Sequence, residues 1–121
     1  MTLVFREIRF DVDISPSRNR VELRRDVNLP GRLRTDDNGN RVIDVALKSF
    51  KLEAYINGNV EDYEFGGEEV DLQVQPTGHQ SGEVVLTVNL RPREQIIQDP
   101  AWQFKGKVKA LVIADLVEDH Q

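Results

Sequence analysis

In the stretch GEVVLTVNLR, Val84, Leu86, Val88 and Leu90 alternate with Val85, Thr87 and Asn89. A repeat of two places the two sets on opposite faces of an extended strand, a pattern that a helix does not sustain. The same period runs through most of the chain. Ile8, Phe10, Val12 and Ile14 alternate with Glu7, Arg9, Asp11 and Asp13, which reads as a strand with one wet face. Val21, Leu23, Val27 and Leu29 share a parity broken only by Arg25, and Pro30-Gly31 ends that run. EEVDLQVQ directs Val70, Leu72 and Val74 inward.

Two runs depart from simple alternation. In RVIDVALKSFKLEAYI the parity changes: Ile43, Val45 and Leu47 share one side, and Phe50, Leu52, Ala54 and Ile56 the other. A bulge near Lys48-Ser49 brings both sets to one face, and a bend there would let the strand serve two sheets. QFKGKVKALVIADL alternates Lys105, Lys107 and Lys109 with Phe104, Gly106 and Val108, then turns apolar on both sides from Ala110 to Ala114. Dense Val and Ile around an internal Gly favour a central strand. A helix with Val108, Leu111, Val112 and Leu116 on one face is the alternative.

Turn signals separate these runs: SPSRN with Pro16, TDDNGN at 35–40, Asn57-Gly58-Asn59, and PTGHQSG. RPREQIIQDPAW, bounded by Pro92 and Pro100, has room for one short helical turn. No helical run is long enough to cross between parallel strands. Six long strands in 121 residues predict an all-β fold, a six-stranded antiparallel β-sandwich forming one domain over 1–121.

Chemistry-bearing motifs are few. The chain has no cysteine, so disulfides, thiol nucleophiles and Cys-ligated metals are excluded. It has no G-x-S-x-G, H-E-x-x-H, P-loop or Rossmann glycine pattern, and most carboxylates alternate outward into water. The expectation is a non-enzymatic protein without cofactor. TDDNGN lacks EF-hand spacing and a closing Glu, and His79 and His120 lack ligand companions, so no metal site is expected. Neither a signal-peptide core nor a membrane-length apolar run is present, which points to a cytoplasmic or particle-associated protein without membrane insertion.

Charge is uneven along the chain. Residues 1–60 carry eleven Lys/Arg and nine Asp/Glu, and residues 61–121 carry five and twelve. The arginines concentrate between Arg18 and Arg34, interrupted by Glu22 and Asp26. Interruption favours salt-bridged strand faces over nucleic acid, and the asymmetry suits pairing of opposite surfaces between copies.

Strict strand reversal gathers residues 15–20, 57–67 and 92–103 at one end, and 30–41 and 77–82 at the other. The first end collects the candidate ligand residues Asn57, Asn59, Asp62, Tyr63, Arg93 and Trp102. Acids and amides accept sugar hydroxyls, and aromatic rings offer apolar platforms. The structural alternative is a solvated acidic loop with Trp102 plugging the core.

The blocks VALKSFKLEAYI, VEDYEF, EEVDLQVQ, GEVVLTVNLR and FKGKVKALVIADL, spanning residues 45–116, resemble the H-type lectin family. The resemblance implies a six-stranded antiparallel sandwich, assembly as trimers or hexamers, and binding of galactose or N-acetylgalactosamine. Many members carry Asp-His or a Trp/His-bearing loop where this chain has Glu61-Asp62-Tyr63, so only Asp62 and Tyr63 are carried over. The expectation is a homo-oligomeric glycan-binding module; the alternative is an assembly subunit of a multimeric, phage-tail-like particle without a sugar ligand.

Overall fold

The computed structural model describes residues 2–14, 20–56, 59–61, 65–92 and 102–117, with side chains at 2–14, 20–53, 69–89 and 104–117. The strands are β1 (Thr2–Ile14), β2 (Arg20–Asn28), β3 (Ile43–Ile56), β4 (Asn59–Glu61), β5 (Phe65–Pro76), β6 (Ser81–Pro92) and β7 (Trp102–Leu116). Sheet A has the order β1-β7-β3-β4 and sheet B the order β2-β6-β5. All pairings are antiparallel. The fold is therefore the all-β antiparallel sandwich that the alternation requires, with β4 added as a three-residue strand. No helix among the described residues is long and apolar enough to cross a membrane.

The core lies between the sheets. Phe10, Val12 and Ile14 of β1 and Phe104, Val108, Ala110, Val112 and Ala114 of β7 meet Val84, Leu86 and Val88 of β6. Val21, Leu23, Val70, Leu72 and Val74 flank them, half-buried on the two edge strands of sheet B. β7 is the central strand of sheet A, paired on both sides over nearly its whole length, so its LVIA run is explained without a helix.

The parity change in β3 is resolved by a register shift between Leu47 and Ser49. Leu47 stands opposite Ala110 and Phe50 opposite Val108, so both sets occupy inward register positions. β3 stays in sheet A throughout and does not serve two sheets. Leu47 and Phe50 nevertheless stay exposed, 43% and 55%. On its far side β3 pairs only at Ala54–Ile56, so no described strand closes the edge beside either residue.

The β2–β3 connection wraps the end of β7. Arg34 N donates to the Asp115 carbonyl, Asp115 N to Val42, and Val117 N to Arg32. These bonds seat Leu33 in the core and cover the outward side of β7 at Asp115. Within the loop, Asp36 Oδ1 accepts from Asn38 N and Asn40 N, both at 2.9 Å, and Gly39 takes a φ of 83°. TDDNGN is thus a side-chain-capped turn.

Gly106 sits where β3 presses on β7. A Cβ there would overlap the Lys51 carbonyl and lie 2.8 Å from Leu52 Cα, both backbone groups that cannot swing aside. Gly106→Ala is therefore expected to lose about 2 kcal/mol or more of stability by chemical denaturation. An unchanged midpoint would contradict this packing.

Candidate functional site

The sequence-derived site residues are only partly placed. Asn57, Asp62, Tyr63 and Arg93 lie outside the described residues. Asn59 and Trp102 are described as backbone only, each paired with Ile56, from opposite sides. The strand ends confirm the grouping of the connections. Ile14 faces Phe104, Arg20 faces Asn89, and Phe65 faces Pro92 at one end. At the other, Leu29 N bonds Gln80 O and Leu33 N bonds His79 O.

The described side chains direct attention to a surface that alternation alone did not single out, the outer face of sheet A. Its residues align in cross-strand rows: Arg9–Lys109–Ser49, Asp11–Lys107–Lys51 and Asp13–Lys105–Glu53. Acids on β1, lysines on β7 and mixed groups on β3 thus stand side by side. These rows floor an open groove of about 850 Å³, to which Phe50 and the bare backbone of Gly106 also contribute. Asp11, Lys107 and Lys109 have no side-chain hydrogen bond or ion pair among the described residues, whereas Lys51 bonds Glu53 at 2.9 Å. The arrangement offers hydrogen-bond donors and acceptors in ordered rows, part of the chemistry first sought in the loops. Among the described residues no group of three His, Asp or Glu side chains is positioned to hold a metal ion.

Glu7 closes one end of this polar zone. Its Oε1 accepts from Lys48 Nζ at 2.7 Å and its Oε2 from Arg9 Nε at 3.0 Å. Lys48 stands at the β3 register shift, so the bond spans from β3 to β1 across β7. The Lys48 and Arg9 hydrogen bonds pull the Glu7 carboxyl from 4.5 down to about 2. On the far side of this clamp the face turns apolar: Leu3 and Phe5 on β1, Leu111 and Ile113 on β7. On sheet B, Arg24 bonds Glu83 at 2.7 Å and lies 3.6 Å from Glu22, and these partners, Glu83 first, raise its already high pKa.

Asp115 is the group that alternation misplaces. Its parity is outward, yet it is 2% exposed because the β2–β3 connection covers it. Arg34 Nε donates to its Oδ2 at 2.6 Å, and Oδ1 has no hydrogen-bond partner among the described residues. Its sequence signal was a lone carboxylate inside an apolar run. No family model, curated protein or solved structure matches this chain.

Two outcomes test these contacts. A depressed folded pKa gives Glu7 a contribution present above 4.5 and lost as pH falls through about 2. NMR titration should find its midpoint near 2, and Lys48→Met should move it up towards 4.5; a wild-type midpoint of 4.5 contradicts the clamp. Arg34→Met should cost about 2 kcal/mol, less than the roughly 3–5 of a fully buried pair, because Arg34 is partly solvated. An unchanged unfolding midpoint would show that Asp115 does not depend on it.

Proposed function

We propose that this chain is a non-catalytic carbohydrate-binding module acting as a homo-oligomer, with the ligand lying along the outer face of sheet A. The observation that carries this reading is the open groove of about 850 Å³ floored by the Asp11–Lys107–Lys51 and Asp13–Lys105–Glu53 rows. Carboxylates and ammonium groups hydrogen-bond sugar hydroxyls. Lys105 to Lys109 extends about 14 Å at 3.4 Å per residue, a length that suits an oligosaccharide better than a single sugar. Lys51, Lys105, Lys107 and Lys109 outnumber Asp11, Asp13 and Glu53, which favours neutral or acidic glycans over cationic ones. Trp102 begins the β7 run that continues into the groove floor, and Ile56 ends the β3 run, so the candidate loop residues adjoin the same sheet end. The likeness to H-type lectins in the residue 45–116 blocks points the same way.

A second reading, an assembly subunit without a sugar ligand, is favoured by Leu3 and Phe5, which are 52% and 53% exposed on the same sheet. A glycan array followed by calorimetry separates the two. Binding should fall at least tenfold in Asp11→Ala and in Lys107→Ala, with the fold retained by circular dichroism. Binding that survives both changes would remove the groove from the reading, and no binding by the native oligomer would remove the glycan.

A further inference from the structure

Among the described strands, β1 offers the longest unbroken edge. Its thirteen residues pair with β7 without a register shift, and no described strand pairs with its other side. The other edges are interrupted or short: β5 shifts register at Phe65/Gly67 and ends at Pro76, and β2 has nine residues. A long straight edge is a template for another strand unless it is broken or covered. We propose that a second copy of this chain covers it, β1 pairing antiparallel with its own copy about a two-fold axis at Ile8.

The register follows from charge. A two-fold perpendicular to the sheet keeps outward residues opposite outward residues, so the paired numbers sum to an even value. With the axis at Ile8, Thr2 meets Ile14 of the second copy and the whole strand is used. Glu7 then faces the second copy's Arg9, and its Arg9 faces Glu7, while Val4 meets Val12 and Arg6 meets Phe10. No like charges stand directly opposite in this arrangement. Moving the axis to Glu7 sets Glu7 against Glu7. Moving it to Arg9 sets Arg9 against Arg9 and Glu7 against Asp11. Both neighbouring registers are thereby disfavoured.

A second feature centres on the same place. Glu7, Ile8, Arg9, Arg25 and Asp26 line a crevice of about 220 Å³ between the edge strands β1 and β2. Two cations and two anions around an isoleucine make a surface that a copy of itself can complement. The paired sheet would read β4-β3-β7-β1 and then the same four strands in reverse. Both grooves would open on one face, their β7 floors three strand spacings apart, about 14 Å. Only that bivalent consequence rests on the glycan reading; the pairing itself does not.

The chain lacks cysteine, so single replacements report the register cleanly. Paired Cα atoms about 4.5–5.5 Å apart fall within disulfide range. Light scattering of the wild-type chain should give at least twice the mass of one chain. Ile8→Cys should form a disulfide-linked dimer under mild oxidation, whereas Val4→Cys and Phe5→Cys should not. Glu7→Arg should weaken association at least tenfold, and Glu7→Arg combined with Arg9→Glu should restore it. A monomer at all concentrations overturns the proposal, as does an oligomer that cross-links through Val4→Cys or Phe5→Cys, or fails to through Ile8→Cys. Glycan binding is read separately, so a glycan-binding monomer overturns this pairing and the oligomeric part of the proposed function but leaves the glycan reading standing, and a dimer without glycan overturns only the glycan reading.

Discussion

The contact between the Lys51 backbone and Gly106 sets the arrangement of sheet A. β7 is the strand through which both β1 and β3 are held, and at Gly106 the space a side chain would fill is taken by the backbone of β3. Every other inward position described on β7 carries a buried apolar side chain, from Phe104 to Leu116. The close approach falls within the Lys105–Lys109 ladder, so Gly106 belongs both to the groove lining and to the β3–β7 contact.

Around that contact, the outer face of sheet A divides into zones by charge and hydropathy. The lysine ladder lies at one end, flanked by Asp11 and Asp13; the Lys48–Glu7–Arg9 clamp crosses the middle; Leu3, Phe5, Leu111 and Ile113 occupy the other end. Exposed ion pairs contribute little to stability. The clamp matters more for where it places charge, at the boundary between a polar groove and an apolar band. One face thus carries both the groove proposed for a polar ligand and, at its β1 edge, the strand proposed to pair with another copy. Sheet B differs: its outward rows are polar on the flanking strands, as in Arg24–Val85–Gln73 and Asp26–Glu83–Gln75.

The fold was legible because alternation is a local property that burial between two sheets enforces along each strand. Val84, Leu86 and Val88 are fully buried, as their parity demands, and the parity change at Lys48-Ser49 marked the β3 register shift. What parity could not convey was position within a sheet. Phe50 and Leu47 have inward parity but stand on a strand whose far side is mostly unpaired, so they remain exposed. Asp115 has outward parity but is covered by a connection whose path depends on hydrogen bonds to Arg32, Arg34 and Val42. The groove was invisible for the same reason. It is made by the juxtaposition of β1, β7 and β3, which are separated by tens of residues, whereas the loop candidates drew attention because their polar and aromatic groups are close in sequence.

The central claim is that the working surface of this protein is the outer face of sheet A rather than the loop end that sequence composition favours. Amide chemical-shift mapping of the isotopically labelled chain against an oligosaccharide that it binds tests this most directly. Perturbations should cluster at Asp11–Asp13, Ser49–Glu53 and Lys105–Lys109, three segments brought together only by the sheet. Perturbations confined to residues 57–64 and 93–101, with the lysine ladder silent, would contradict the account.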